Sequence, residues 1–443
     1  MLLKEEFEKW KLKNIGNKSY IHFDWKENAN NERLVEYISE AKNIATHGFY
    51  PFLHTQIIFT KYSKKCGKTQ KVRDINYPSH RDRLIFSYYA TLLNRYYNEY
   101  AIKNGINDII LGYRNNLGGK CSIDFAKMIF DKIREKKSCF IMIGDFSDFF
   151  DNLDHKYLKE QLLKVLNLDR VPDDWYNLYK NITKFSYCEL KDILKLKNID
   201  NLENSGENRL FSLKEFKRLK KEKILEIYKN KEKKGIAQGN PLSVVLSNLY
   251  MSNFDINMFN YVKRRGGDYF RYSDDFVIIL PISKNNNSEK IEEFKRDILN
   301  FKSEIPELEL KEEKTKYYLY REGERFKDNR RINYLGFTFD GREIFIRDKT
   351  VGKFYYRMYK KMGIIRKNCW YTYKGNRISC RNLYKNYSIK GVKEGNFLTY
   401  VTKVEKIFGK IDSKNIRHIR KVNFHKIRKY LSYNQFDYFL KEF

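Results

Sequence analysis

The chain has 443 residues, enough for two or three domains with sizeable cores. Lys and Arg number 88 against 56 acidic residues, a formal charge of +32, which suits a polyanionic partner, nucleic acid before membrane. No apolar run is long enough to span a bilayer, the start Met1-Leu-Leu-Lys-Glu-Glu-Phe7 lacks a signal-peptide core, and Cys66, Cys121, Cys139, Cys188, Cys369 and Cys380 form no CxxC pair and have no His at zinc spacing. The expectation is a cytoplasmic protein, free of membrane, with reduced and buried thiols. Coding bias toward Lys, Asn, Ile, Tyr and Phe would inflate Lys but would not place the charge unevenly. Residues 341–443 carry 26 Lys/Arg and only 7 Asp/Glu.

Residues 1–50 read as a charged helical extension with Leu34, Tyr37, Ile38 and Ala41 on one face. Thr55 to Tyr62 and Lys71 to Tyr77 read as two strands of a hairpin with a basic tip, which a solvated edge would also explain. Pro78 ends the hairpin, and Arg81-Asp82-Arg83 opens a helix through Tyr100. Cys139 to Ile143 is a short apolar run ending in Gly144-Asp145, so Asp145 caps a core strand at the end where α/β active-site groups gather. Asp148, Asp151 and Asp154 read as helix-start acids, and His155 as a packing or capping residue. Leu153, Tyr157, Leu162, Leu163 and Leu166 then recur at helical spacing.

Between about 186 and 234 the pattern degrades. The expectation there is an insertion, with a Lys/Glu-rich solvated helix over Phe211–Lys234. Gly235 to Ser243 follows: Asn240 is suited to cap a helix and Pro241 to its first turn, with Leu242, Val245, Leu246 and Leu249 as the buried stripe. Tyr269 to Leu280 reads as strand, tight turn, strand, with Ser273, Asp274 and Asp275 at the tip. A solvated Asp-Asp turn is the bland explanation. A bound divalent cation is the other, because hard Mg2+ takes carboxylate oxygens and keeps sites open for phosphate. Glu289–Ser303 is an amphipathic helix, Lys316–Tyr320 a strand, and Ile332–Phe339 a strand pair bent at Gly336. From Phe354 onward the chain is helical, basic and aromatic, a mixture that follows a sugar-phosphate backbone and stacks on bases, or packs tyrosines inward with lysines outside.

Asp145 at a strand end and Asp274-Asp275 on a hairpin tip are the groups that nucleotidyl transfer needs on one pair of cations. The order of these motifs resembles the reverse transcriptases, most of all the bacterial group II intron-like branch. It runs from Asp145 with Phe150-Asp151, through Gln238-Gly-Asn-Pro-Leu-Ser243 and Tyr272-Ser-Asp-Asp275, to Lys314-Thr315 and Tyr334-Leu-Gly-Phe337. Arg73, Arg81-Asp-Arg83 and Gly112-Tyr-Arg114 resemble that family's upstream motifs, and the resemblance covers about Thr55 to Phe339. Zinc, HNH, retron and diversity-generating signatures are missing, and Val244 stands where many relatives have Pro. By elimination the chain resembles the defence-associated "unknown group" and abortive-infection-like enzymes.

The resemblance implies an α+β right-hand polymerase fold. Fingers and an antiparallel palm sheet would occupy 51–340, and a basic α-helical thumb 341–443. It implies an RNA-directed DNA polymerase that makes cDNA from dNTPs, in bacterial antiviral defence with a dedicated non-coding RNA, with a homo-oligomer or a partner protein also open. Asp145, Asp274 and Asp275 would be catalytic and would hold two Mg2+ ions, replaceable by Mn2+, together with the Phe146 carbonyl. Lys71, Arg73, Phe150, Gln238, Gly239 and Lys314 would bind the dNTP, with Phe150 excluding a ribose 2′-hydroxyl and Lys314 protonating pyrophosphate. Tyr334, Leu335, Gly336 and Phe337 would grip the primer. Ser273 stands where Ala or Met is usual, and Ala237 where Pro is usual. Three rivals remain open: template-independent or protein-primed synthesis, an RNA-dependent RNA polymerase, which Phe150 argues against, and a silent nucleic-acid-binding scaffold, which the intact carboxylates argue against.

Overall fold

The computed structural model describes residues 2–16, 18, 20–63, 67–200, 207–283, 288–310 and 313–432. Cys66 lies outside them. The chain begins with α1 (Lys4–Lys13), α2 (Glu32–Ser39) and α3 (Ala41–Ala45). Asn31 caps α2, and Leu34, Val35 and Ile38 make its buried face. Ala41, expected on that face, is exposed, because Glu40 is extended (ψ 110°) and starts a new helix.

β1 (Phe52–Ser63) and β2 (Gly67–Tyr77) form a long antiparallel hairpin from Leu53↔Tyr77 to Ser63↔Gly67. Ser79 caps α4 (His80–Lys103) by accepting from the Asp82 amide. α5 (Ser122–Glu135), β3 (Ser138–Asp145), α6 (His155–Leu166) and α7 (Asp173–Thr183) follow.

The stretch expected as an insertion joins this first sheet. β4 (Ser186–Glu189) lies parallel to β1, α8 (Leu190–Leu196) and α9 (Leu213–Lys221) follow it, and β5 (Tyr228–Lys229) pairs with β4. Cys188, Ile193, Phe211, Phe216 and Leu219 pack there against Phe23 and Leu53. The helix expected over 211–234 is α9 alone. After Leu219 the apolar spacing lapses, Lys223 turns left-handed (φ 58°), and Ile224 and Leu225 donate back to the Leu219 carbonyl.

α10 (Pro241–Tyr250), α11 (Ser252–Arg264), β6 (Asp268–Tyr272), β7 (Asp275–Pro281), α12 (Ser288–Asn300) and β8 (Lys316–Arg321) complete the central layer. The central sheet has the order β6-β7-β3-β8, antiparallel throughout. β3 is apolar on both faces because both are covered. Phe140 and Met142 enter one core, and Cys139, Ile141 and Ile143 enter the other.

A small sheet of β9 (Ile332–Tyr334), β10 (Phe337–Phe339) and β11 (Ile344–Ile346) leads into α13 (Asp348–Lys367), α14 (Arg381–Tyr387), α15 (Phe397–Asp412) and α16 (Lys414–Ser432). Asp412 joins α15 to α5 through Arg134 at 2.8 Å and Lys127 at 3.6 Å. The result is the expected α+β fold with an antiparallel sheet and a helical C-terminal region. The described cysteines are unpaired; Cys139 and Cys188 are buried, but Cys369, expected buried, is exposed at the end of α13. No helix among the described residues is long and apolar enough to cross a membrane.

Candidate active site

The register of β3 on β7 sets Asp145 directly opposite Asp275, so both side chains share one sheet face. Asp274 sits in the two-residue turn that closes the Tyr272↔Asp275 pair, next to Ser273 in the left-handed region (φ 61°). The Phe146 amide donates to the Asp274 carbonyl at 3.3 Å. The Phe146 ring is buried against Phe254 and Phe276, so only its backbone faces the turn. Lys314 Nζ lies 2.9 Å from Asp145 Oδ2.

Burial, then the charges of Asp274 and Asp145, push the Asp275 carboxyl up to about 7. Burial, with Asp145 next among the groups that raise it, pushes Asp274 above the usual carboxylate range. Burial opposes the charge on Lys314, but the hydrogen bond and charge of Asp145 outweigh it and raise the ammonium. Crowded carboxylates of this kind repel one another, and a hard divalent cation relieves the repulsion. The oxygen-only donor set fits such a cation. Among the described residues no three ligating side chains are already drawn together around a metal position; Asp145 holds the Lys314 ammonium instead.

A second group of residues holds the turn in place, and sequence reasoning singled out only Gly112 among them. Arg271 is fully buried. Its Nε and Nη2 donate to Asp255 at 2.8 and 2.6 Å, and its Nη1 donates to Asn248 Oδ1 at 3.1 Å and to the Ser273 carbonyl at 2.8 Å. Asn248 in turn donates to the Gly112 carbonyl at 2.9 Å. A Cβ on Gly112 would come within 2.8 Å of the Ser273 amide, so only glycine lets this segment run so close to the turn. The sequence signal was an arginine at an inward position of an apolar strand, with an aspartate on the buried stripe of α11.

The other expected site residues fall in two groups around the carboxylates. The first flanks the β2 strand. Phe150 is half-buried in a 3₁₀ turn (Phe149–Asn152), its ring 5.4 Å from Phe149. Gln238 donates from Nε2 to Asp151 at 3.1 Å, and its carbonyl accepts from the Asn76 amide at 2.7 Å. Asp151 lies in the first turn of that 3₁₀ helix and also accepts from Gln238, and Asp154 caps α6, accepting from the Tyr157 amide. Gly239 (φ 111°) lies where a Cβ would meet the Asn76 carbonyl at 2.8 Å and Ile75 at 3.1 Å. Lys71 and Arg73 share the strand face of Ile75 by alternation, and both are exposed. Asn240 and Pro241 cap and open α10 as expected.

The second group is the Tyr334–Phe337 hairpin. Leu335 (φ 46°) and Gly336 (φ 89°) form its two-residue turn, and Phe337 packs on Tyr400 and Phe408 of α15. Burial, then the nearby charge of Asp275, pushes the Tyr334 hydroxyl well above its ordinary value. Arg81 and Arg83 do not join either group. Arg81 pairs with Glu27 at 2.7 Å, and Arg83 donates to Asn14 at 3.0 Å, so this motif fastens the N-terminal helices. Arg114 is likewise held inside, donating to Asn98 at 2.6 Å.

Two cross-strand aspartates, a third on the adjoining turn and a lysine on Asp145 make a carboxylate site of the kind that metal-assisted phosphoryl transfer uses. The chain belongs to the reverse transcriptase (RNA-dependent DNA polymerase) family, whose model matches residues 63–339. Members of this family work with divalent metal ions. A comparison with curated protein sequences finds no match. Among solved structures the chain is similar to apo telomerase from Candida tropicalis truncated from its C-terminal domain, with 13% identity, a TM-score of 0.42, 73% of this chain and 61% of that chain covered. It is also similar to telomerase from Candida albicans in complex with a TWJ fragment of telomeric RNA, with 13% identity, a TM-score of 0.43, 96% of this chain and 64% of that chain covered. The chain thus spans about 61% and 64% of the length of those two proteins.

Proposed function

We propose that the chain copies an RNA template into DNA from dNTPs, with Asp145, Asp274 and Asp275 as the catalytic carboxylates. The observation that carries this reading is the Asp145↔Asp275 register with Asp274 on the adjoining turn. Asp145 and Asp274, with Asp275 and the Phe146 carbonyl, would hold two Mg2+ ions, replaceable by Mn2+. When bound, such ions lower the pKa of the attacking 3′-hydroxyl and neutralise the leaving pyrophosphate. Lys314 stands on Asp145 at 2.9 Å, within reach of the leaving group as a proton donor. Arg73 and Lys71 bind the triphosphate by charge. Phe150 excludes a 2′-hydroxyl by bulk, Gln238 and Gly239 border the incoming nucleotide, and the Tyr334–Phe337 hairpin orients the primer end.

The finer reading is a cytoplasmic enzyme of the bacterial group II intron-like branch, serving antiviral defence with a dedicated non-coding RNA. The motif order from Asp145 to Phe337 supports it. The test is dNTP incorporation with Mg2+ by the wild type and Asp274→Asn, with sequencing of the nucleic acid that co-purifies with each. The expected outcome is a discrete RNA in both samples and complementary DNA in the wild type alone. Undiminished synthesis by Asp274→Asn would remove the assignment. DNA unrelated to the bound RNA would replace templated with untemplated synthesis.

A further inference from the structure

The segment between α13 and α14 is a hairpin with a packed root and a bare tip. Trp370 and Ile378 pack at the root with Met362, Ile365 and Leu383, and the Ile378 amide donates to the Trp370 carbonyl at 2.7 Å. Above them Tyr371 bridges to Arg377 across the hairpin. The Thr372 amide donates to Asn376 at 2.8 Å, the Gly375 amide to Thr372 at 2.9 Å, and Gly375 is left-handed (φ 77°). This is a three-residue hairpin loop closed by a left-handed glycine. The tip is therefore tied down by its own hydrogen bonds, yet Tyr371 is 54% and Tyr373 93% exposed.

Single exposed rings are common and need no explanation. Two on one small tip, in this electrostatic setting, are different. From Lys349 to Lys393, 45 residues carry 13 Lys/Arg and no Asp or Glu. Lys374 lies 5.7 Å from the Tyr373 ring centre. An acidic protein surface would answer the charge without using flat rings. A nucleic-acid duplex would answer the charge while hiding its base faces. Unpaired RNA offers phosphates together with open base faces.

Location separates this feature from the polymerising centre. α13 starts beside Arg347, whose charge bears on Asp275. The 20 residues of α13 span about 30 Å at 1.5 Å rise per residue, and the hairpin leaves from the far end.

We propose that the Tyr371–Arg377 hairpin is a binding site for unpaired RNA, in which Tyr371 and Tyr373 stack on bases and Lys374 and Arg377 meet the adjoining phosphates. Two residues of chain span at most about 7 Å, close to two steps of about 3.4 Å along a strand, so the two rings serve the same or neighbouring bases. The site deepens the reading that this chain works on RNA and adds a contact outside the cleft where dNTPs react.

The test uses the full chain and two fluorescent probes, an unstructured single-stranded RNA and a blunt RNA duplex, followed by anisotropy. The double variant Tyr371→Ala/Tyr373→Ala should bind the single strand about tenfold more weakly or worse, with duplex affinity held within about twofold. Tyr371→Phe/Tyr373→Phe should keep wild-type affinity, and Tyr371→Leu/Tyr373→Leu should not. Unchanged single-strand binding in the alanine variant, an equal loss on the duplex, or full rescue by leucine would each overturn the proposal, the last in favour of an apolar protein contact. Extension of a pre-annealed primer by the same proteins reads the polymerase separately. Extension retained in the alanine variant with its single-strand binding lost supports the hairpin site, and a wild type that cannot extend, while its single-strand binding still depends on the two tyrosines, would sink the polymerase reading alone.

Discussion

Arg271 and Arg357 carry the same guanidinium, and the chain uses them in opposite ways. Arg271, beneath the Ser273-Asp274 turn, is fully buried and directs its donors at Asp255, Asn248 and the Ser273 carbonyl. Arg357, on α13, is exposed, and with Arg347, Lys349 and Lys353 it lines a cleft of about 560 Å3 that also takes in Asn396 and Phe397. Buried charge in the central layer fixes the chain's own backbone. From Lys349 to Lys393 no acidic residue stands among the cations in sequence, a setting that suits phosphate.

The comparison breaks most visibly at Arg271. Arg271→Met leaves Asp255 buried without its counter-charge, so unfolding in denaturant should show a loss of about 3–5 kcal/mol. A loss below about 1 kcal/mol would mean that the pair does not anchor the turn. Asn248→Ala is the milder probe, because it cuts one link to Gly112 and one to Arg271 while leaving the ion pair.

A smaller effect tests whether the interior admits an unpaired charge. Burial, opposed by Asp24 and reinforced by His80, depresses the His22 imidazole to about 3. Near pH 5 the unfolded chain binds a proton there that the folded chain does not, so stability falls as pH drops below about 6.5. The slope should approach about 1.4 kcal/mol per pH unit, and in His22→Asn this component should vanish. An identical pH profile in that variant would assign the acid sensitivity elsewhere.

The smallest effect sharpens the other half. Lys353→Gln and Arg357→Gln should each lower the slope of log affinity against log salt by about 0.9 on duplex, with little change in thermal stability. A large drop in melting temperature would place these cations in the folding of the protein rather than in binding.

How far the sequence carried the reading depends on whether a residue's role follows from neighbours in the chain or from neighbours in space. The Asp274-Asp275 hairpin was legible because aromatic and β-branched runs flank a Ser-Asp-Asp turn, and α10 because Asn240 and Pro241 announce a helix start. β4 was not, since four residues, Ser186–Glu189, become a strand only by lying against β1. Arg271 was hidden for the same reason. Its partners are 16 and 23 positions away in sequence, and inside an apolar strand an arginine reads as an exception until Asp255 is brought beneath it. Arg81 and Arg83 carried a resemblance to a fingers motif but no legible contact, because their partners Glu27 and Asn14 lie 54 and 69 positions away.

That last attachment bears on how the chain can be cut. Asp82 is almost wholly buried and accepts from His47 Nε2 at 2.9 Å and from the Tyr50 amide at 3.0 Å; Asp24 accepts from the His80 and Arg81 amides at 3.1 and 2.9 Å. A fragment trimmed to begin at the first sheet would lose Asp24, His47 and Tyr50 together with Phe23, and leave Asp82 and the His80 and Arg81 amides without these partners. The N-terminal segment is thus a keystone for the start of α4. Minimal versions of this enzyme, whether for expression, screening or grafting, have to carry it along.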